Sequence, residues 1–568
     1  MSSSAALRPI HLQARPVEAG LAARLAAEGL TPLEARIYAA RGIASVAELQ
    51  HELGRLLPWQ QLHNARVMAE RLADAIAAGQ KMLIVADYDA DGATACAVAM
   101  RGLAAMGALV DFIVPNRFEY GYGLTPEIVD EAATRSPAML ITVDNGIASV
   151  AGVARARELG MEVLVTDHHL PGDALPEALI VNPNQPGCEF PSKNLAGVGV
   201  MFYVLMALRA VLRERGAFAG KTEPNLGMLL DLVALGTVAD VVRLDANNRI
   251  LVEQGLRRIR AGRCAPGILA LLRIAGRNPA RAGCFDLGFA LGPRLNAAGR
   301  LDDMSLGIAC LLAASEDAAE PLARELDRMN RARREIEGGM REEAERILEH
   351  VNVAGRFSVA LYQPDWHQGV VGIVAARVKE RFHRPTIVFA QASDSEIKGS
   401  GRSIPGLHLR DALDLVSKRA PGLIARFGGH AMAAGLSLHP ADFARFASLF
   451  ETVCGELLEG RLPEQQIDTD GELPPEGYHF AQVERLEQQV WGQGFPPPVF
   501  TGAFRVVEQR LVGEKHLKLR LATPHGLVLD AMRFQHAEPL PAEIHAAYRI
   551  GINEFRGERA VQLQIEHC

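Results

Sequence analysis

Three carboxylates stand at alternate positions in Val85-Ala86-Asp87-Tyr88-Asp89-Ala90-Asp91-Gly92, between an apolar run that ends at Val85 and an Ala-rich run from Ala93 to Met106. Carboxylates crowded into one small volume repel one another and raise each other's pKa unless a cation neutralises them. A helix N-cap explains one aspartate at such a turn. Three in alternation point instead to a divalent metal. Three more polar motifs follow apolar runs: Pro115-Asn116-Arg117-Phe118-Glu119-Tyr120-Gly121-Tyr122-Gly123, Thr142-Val143-Asp144-Asn145-Gly146 and Val165-Thr166-Asp167-His168-His169. Singly, each is explained by a turn residue or a core histidine, and for His169 that is the preferred reading. Together they describe one site. Carboxylate oxygens with one or two imidazoles and no thiol suit Mg²⁺ or Mn²⁺, and Mn²⁺ tolerates nitrogen better. The carboxylates suffice for two ions about 3.5–4 Å apart, the arrangement that activates water for phosphodiester hydrolysis. Asp240, closing Gly236-Thr237-Val238-Ala239-Asp240 after an apolar helical stretch, reads equally as a further ligand or as a capping residue.

The elements that must position these residues alternate. Strands are expected at Met82–Ala86, Leu109–Val114, Ala138–Val143, Met161–Thr166 and Leu179–Val181, with helices between them, including Thr125–Thr134 and Ile147–Leu159. Short continuous apolar strands spaced by helices give an α/β fold with a doubly wound, mostly parallel sheet, whose ligands bind outside the carboxyl ends of the strands. Residues 1–70 read as a helical lead-in, with Pro32 at a helix start, and 71–312 as the first α/β domain with a helical extension. The charged stretch 313–352 reads as an exposed connecting helix and 353–457 as a second α/β domain. Within the second domain, Gly399-Ser400-Gly401-Arg402-Ser403 and Phe427-Gly428-Gly429-His430 read as glycine-rich turns able to cradle an anion. Gly292-Pro293-Arg294-Leu295-Asn296-Ala297-Ala298-Gly299-Arg300 reads either as a phosphate-backbone grip or as a loop with surface arginines. Five strands within 465–568 make a small barrel of OB type, with Lys515, His516, Lys518, Arg520, Arg533 and Arg556 as its basic residues.

At 568 residues the chain is expected to hold three or four domains, each long enough for its own core, and 49% of its residues are hydrophobic. A formal net charge of −7 supplies no global attraction for nucleic acid, so such a partner needs a local basic groove. Seven scattered cysteines without a CxxC pair indicate free thiols in a reducing compartment. Met1 to Ala14 lacks an apolar core for a signal sequence, and charges interrupt the longest apolar stretches. A cytoplasmic protein with no membrane partner is therefore expected.

Asp87-Tyr88-Asp89-Ala90-Asp91-Gly92, Val143-Asp144-Asn145-Gly146 and Asp167-His168-His169 resemble the motifs of the DHH phosphoesterases, and the glycine-rich pair resembles their DHHA1 partner domain. With Trp366-His367-Gln368-Gly369-Val370, the Gly494-to-Pro498 turn, the Arg294-to-Arg300 segment and the barrel, the chain is similar from about residue 80 onward to the bacterial single-strand-specific exonucleases of this family. The resemblance implies 5′ to 3′ hydrolysis of single-stranded DNA to mononucleotides in mismatch repair and recombination. It implies Asp89, Asp91, Asp144, His168 and Asp240 as ligands of two Mn²⁺ or Mg²⁺ ions, Asp87 as a ligand or a support for one, and His169 as an aid at the scissile phosphate. Arg117, Tyr122, Ser400 and Arg402 would grip the 5′ end, with Arg294, Asn296, Arg300 and His430 on the strand's phosphates. A single-strand-binding protein and a helicase are the partners implied, and a monomer is expected. One departure is visible: Val85 stands where some DHH proteins carry a histidine. A small-substrate DHH phosphodiesterase acting on short oligonucleotides or cyclic dinucleotides is the rival, and the barrel argues against it. A catalytically dead scaffold on the same fold would have lost metal ligands, and here the Asp and His set is intact.

Overall fold

A computed structural model describes residues 10–115, 123–349, 353–555 and 557–568. Contacts divide the chain into two compact units, Ala14–Asn330 with Thr469–Cys568, and Arg331–Asp468 with the chain up to Gln13.

The larger unit is built on a five-stranded sheet. Strand β1 (Lys81–Ala86) is followed by helix α1 (Ala90–Ala105), then β2 (Leu109–Ile113), α2 (Pro126–Ala133), β3 (Met139–Val143), α3 (Val150–Glu158), β4 (Glu162–Thr166) and β5 (Leu179–Val181). The strand order is β2-β1-β3-β4-β5, and every pairing is parallel. Both faces of the inner strands are covered, so these are near-continuous apolar runs, whereas the edge strand β2 carries Asp111 and an exposed Leu109. Leu83 and Val85 pack with Ile128, Val129 and Val153 of α2 and α3. Met82, Ile84 and Ala86 pack on the other face, with α1 and with α4 (Gly197–Glu214). This is the doubly wound sheet expected from the spacing of the apolar runs. Helix α5 (Leu230–Ala239) is buried along nearly its whole length.

The segment Gly292–Leu301 is a helix, α6, where the small residues also allowed a loop. Its glycines serve close packing: a Cβ at position 299 would lie 1.8 Å from the carbonyl oxygen of Tyr88. The lead-in holds helices at Ala19–Ala27, Pro32–Ala39 and Ala65–Ala77, and Pro32 follows the N-cap Thr31 of a capping box closed by Glu34. It also holds a strand, His11–Ala14, paired with Gln466–Thr469. A four-residue strand whose partner lies hundreds of residues away leaves no periodic signal.

Helix α7 (Glu316–Glu349) passes from the larger unit into the smaller one. The smaller unit continues with β6 (Val359–Gln363), α8 (Val371–Phe382), β7 (Thr386–Ser393), β8 (Glu396–Arg402), β9 (Arg426–Gly429) and β10 (Ala433–Leu438), in sheet order β9-β10-β8-β7-β6. Gly399 to Arg402 therefore lie in an inner strand, and the expectation of a glycine-rich turn is corrected. The glycines are there because neighbouring side chains cross the strand. A Cβ at 399 would stand 2.4 Å from Phe389, and one at 401 would stand 2.7 Å from Leu409. With β8 paired on both edges, its backbone is engaged in the sheet rather than open to an anion. His430 lies in the tight turn between β9 and β10, where its N–H donates to the Ala433 carbonyl at 2.7 Å.

The C-terminal strands β11 (Phe500–Val512), β12 (His516–Ala522), β13 (Val528–Arg533), β14 (Glu543–Phe555) and β15 (Glu558–His567) close into the expected barrel, in order β11-β12-β13-β15-β14. Its core of Phe500, Phe504, Leu519, Leu521, Tyr548 and Leu563 also takes in Leu33 and Ile37 from the lead-in helix Pro32–Ala39. Beside it Arg41 meets Asp470 at 2.7 Å, with both side chains 1% exposed. Removing one partner leaves a buried charge without its counterion. Asp470→Ala is expected to lower stability by about 3–5 kcal/mol in urea unfolding; a loss within experimental scatter would show that the pair does not hold the barrel to the lead-in.

Candidate metal centre

The first strand stops at Ala86, and the chain turns before α1 rather than continuing extended. Asp89 is the N-cap of α1: its Oδ1 accepts from the Asp91 and Gly92 N–H groups at 2.9 and 3.0 Å. Asp91, in the first helical turn, lies against the start of a second helix, where its oxygens accept from Gly197 N–H at 2.6 Å and Val198 N–H at 3.0 Å. Two helix N-termini thus face this loop, and both favour negative charge. Asn296 of α6 braces it, its Oδ1 accepting from Ala90 N–H at 2.7 Å.

Asp144, just beyond β3, has φ 65°, a left-handed backbone that a non-glycine residue holds only when its surroundings impose it. Its carboxylate presses on the start of α4: a Cβ at Gly197 would lie 2.4 Å from Asp144 Oδ1. Asp240 caps the C-terminus of α5 and precedes Val241, which has φ 63°. From the end of β4, His168 Nε2 reaches to 3.1 Å from Asp144 Oδ1, 3.5 Å from Asp240 Oδ2 and 4.0 Å from Asp91 Oδ2. Three triads, Asp87–Asp89–Asp144, Asp91–His168–Asp240 and Asp144–His168–His169, each bring their donor atoms within 4.8 Å of one another. The structure thus gathers Asp87, Asp89, Asp91, Asp144, His168, His169 and Asp240 into one cluster.

Three supporting residues had no role in the sequence-based site, although Asp167 stands within one of its motifs. Asp167 Oδ1 accepts from the His168 and His169 N–H groups at 2.7 and 3.0 Å and lies 2.8 Å from His169 Nδ1. Asn182 and Asn184, past the end of β5, donate to the carbonyls of His169 and His168 at 2.9 and 2.5 Å. The rule that exposed the other motifs, polar residues at the carboxyl end of a parallel strand, applied to Leu179–Val181 would have found both asparagines.

The remaining predicted site residues are distributed differently. Arg294 is buried and engaged by Asp327, with Nη2 2.8 Å from Oδ1, while its Nη1 donates to the Ala290 carbonyl at 2.7 Å. Arg300 lies at the end of the same helix, partly exposed. Ser400, Arg402 and His430 belong to the smaller unit, where Arg402 Nη1 donates to Ser400 Oγ at 3.1 Å and to the Gly401 carbonyl at 2.8 Å. Arg117, Tyr122 and the barrel's Arg556 lie outside the described residues. Val85 is fully buried with Leu83, Ile113 and Val165.

Burial first, and then the charge of Asp89, push Asp87 up to about 8 and Asp91 up to about 7. Burial and neighbouring carboxylates, Asp91 foremost, hold Asp144 and Asp240 well above the usual range. Burial alone would lower His169, but its hydrogen bond to Asp167 and that group's charge raise it to about 9. Burial opposes ionisation of Asp167 as well, yet the two histidines and its hydrogen bonds keep it low. Asp144 Oδ1 is buried and accepts no hydrogen bond among the described residues. Carboxylates forced together, an oxygen without a donor and imidazole nitrogens alongside fit one or two hard divalent cations.

A doubly wound sheet with such a centre at its carboxyl edge defines a metal-dependent phosphoesterase. Residues 81–237 match the DHH family N-terminal domain, 354–456 the DHHA1 domain and 469–567 the RecJ OB domain. The single-stranded-DNA-specific exonuclease RecJ of Salmonella typhimurium is 51% identical over 98% of each chain, and that of Escherichia coli is 50% identical over 98% of this chain and 99% of its own. The crystal structure of RecJ in complex with Mn²⁺ from Thermus thermophilus superposes with a TM-score of 0.81 at 31% identity, covering 98% of this chain and 79% of that one. A crystal structure of the same organism's RecJ in complex with Mg²⁺ gives 0.76 at 29% identity, covering 98% and 78%. The chain belongs to the RecJ family.

A carboxyl group whose folded pKa exceeds its unfolded value of about 4 stabilises the fold below that value and loses this contribution as pH rises through the folded pKa. Chelator-treated protein is therefore expected to melt at progressively lower temperature between about pH 5 and 8, and the gain on adding Mn²⁺ is expected to grow over the same interval. A metal-induced shift that stays constant across this interval would contradict the crowding of Asp87 and Asp91.

Proposed function

We propose that this protein is a single-stranded-DNA-specific exonuclease that hydrolyses phosphodiester bonds from the 5′ end and releases 5′-mononucleotides, using Mn²⁺ or Mg²⁺. The observation that carries the reading is the gathering of the seven Asp and His side chains at one sheet edge in a chain half identical, over its length, to exonucleases of this specificity.

Asp87, Asp89, Asp91, Asp144, His168 and Asp240 would hold the ions. When bound, they supply an activated water and neutralise the charge that builds on the phosphate. The protein's own groups do the rest. Asp167, 2.8 Å from His169 Nδ1, fixes the orientation of that ring, and His169 would aid at the scissile phosphate. Asn182 and Asn184 fix the backbone that carries both histidines. In the smaller unit Arg402 donates to two neutral oxygens, and burial disfavours its bare cation. A 5′ phosphate beside Ser400 is the anion that would complete it. His430 and Arg300, with Arg117 and Tyr122, are assigned to the strand and its 5′ end. Asn296 and Arg294 would act through the loop and helix they brace.

The partners this reading asks for are a single-strand-binding protein and a helicase that supplies unwound ends. It places the protein in the cytoplasm as a monomer. All seven cysteines are free thiols, and among the described residues no helix is long and apolar enough to cross a membrane.

Single-stranded DNA labelled at either end, beside a duplex and a dinucleotide, tests the reading with Mn²⁺, Mg²⁺ or chelator. Metal-dependent release of mononucleotides from the 5′ end of the single strand is expected; cleavage confined to the dinucleotide would establish a small-substrate phosphodiesterase instead. Asp144→Asn is expected to lower kcat on the order of 10³-fold or more while leaving strand binding in place. Asp167→Asn is expected to cost about 10–100-fold, the usual effect of removing a group that orients a ligand.

A further inference from the structure

The metal centre accounts for the strand ends but leaves a pair of aromatic rings unexplained. Phe285 and Phe289 stack with ring centroids 4.9 Å apart and planes 25° apart, yet they stand 58% and 67% exposed. Exposed single apolar residues are ordinary, whereas two rings stacked and exposed together present a flat apolar face to solvent. The Arg277 guanidinium lies 5.6 Å from the Phe285 ring centre, steadied by Asp286 Oδ1 at 3.4 Å from its Nε.

The backbone around the rings is unusual too. Asp286–Leu291 forms a π-helix, a rare turn found mostly at functional sites. It runs directly into α6, whose Asn296 braces the aspartate loop. It also packs on the last turns of α5, where a Cβ at Gly288 would lie 3.4 Å from Val238 Cγ1, two residues before Asp240. Four residues before Phe285, Arg281 forms an ion pair with Glu554 of the barrel strand β14. The aromatic pair therefore stands on the stretch of chain that links the barrel to the metal centre.

We propose that Phe285 and Phe289, flanked by Arg277, form a stacking platform for a base of the single strand on its way between barrel and metal centre. The proposal rests on the exonuclease reading. Every base has a π-face, so such a platform holds the strand without reading its sequence, and a neighbouring arginine suits the phosphate that accompanies the base. Their place on the stretch of chain that contacts both the barrel and the metal centre, with the Arg277 guanidinium beside Phe285, favours a nucleic acid over an apolar segment of another protein. The platform contributes holding and leaves the chemistry to the metal centre.

The test is Phe285→Ala/Phe289→Ala beside Phe285→Tyr/Phe289→Tyr, with equal melting temperatures as the check on folding. In an Asp144→Asn background the alanine pair is expected to bind a long single strand about tenfold or more weakly, and the tyrosine pair close to normally. With Asp144 intact, KM for the long strand should rise by the same factor, while kcat and dinucleotide cleavage stay unchanged. Strands carrying one abasic site, moved along the sequence, should lose affinity at one position with the native rings and show no such position with the alanine pair. Unchanged strand binding by the alanine pair, or the same abasic profile with and without the rings, would overturn the proposal. So would a loss confined to self-association in gel filtration, which would mark the rings as a protein contact. If the native protein releases no nucleotide from any single strand, the exonuclease reading fails, while the abasic profile still decides the platform.

Discussion

The whole larger unit is arranged around an unfavourable contact: buried carboxylates facing one another with too little protein charge to satisfy them. Parallel strands send all their carboxyl ends to the same edge, so motifs scattered over more than a hundred residues converge there without any loop having to reach. Convergence alone would split the site by repulsion. The fold opposes that with two helix N-termini, one capped by Asp89 and one pressed by Asp91, and with glycine where a side chain would intrude, as at Gly197. What remains unbalanced is left for a cation: burial, and then the charge of Asp89, already raise Asp87 and Asp91.

Much of this was legible because the inner strands are buried on both faces and so read as apolar runs; Leu179–Val181 was bounded correctly from three residues. The site was legible because its residues follow those runs directly. Where reading went astray, small residues were the cause. Glycine marks a turn in most sequences, but in β8 it marks the crossing of Phe389 and Leu409 over an inner strand, and in α6 the approach of Tyr88. A glycine needed for tertiary packing and one needed for a turn look alike until the neighbour is known. The strand His11–Ala14 and the Arg41–Asp470 pair depend on partners distant in sequence, and no local pattern announces either.

Val85 shows how a departure from a motif can be read physically. Its side chain is wholly enclosed by Leu83, Ile113 and Val165 in the layer shared with α2 and α3. An imidazole there would have to be accommodated among aliphatic side chains. The nitrogen donors of this centre come instead from the end of β4, where His168 lies within 4.0 Å of carboxylates from three other segments. Asp167 and the two asparagines behind it supply the rigidity that a donor on a loop would otherwise lack.

The attachment of the barrel carries the argument from chemistry to the handling of a polymer. A barrel on a flexible tether would raise the local concentration of strand but would not fix which nucleotide meets the metal. Here the barrel shares its core with Leu33 and Ile37, is joined through the buried Arg41–Asp470 pair, and is tied again by Arg281 to Glu554. Between barrel and sheet, Tyr38, Trp491 and Phe495 stack successively, with Arg249 4.4 Å from the Phe495 ring centre. Contacts of this kind, spread over several segments, join the barrel and the metal centre within one unit. On the proposed function, a barrel attached to the sheet in this way would hold a strand at a set distance from Asp144 and His168, which is what positioning for cleavage requires.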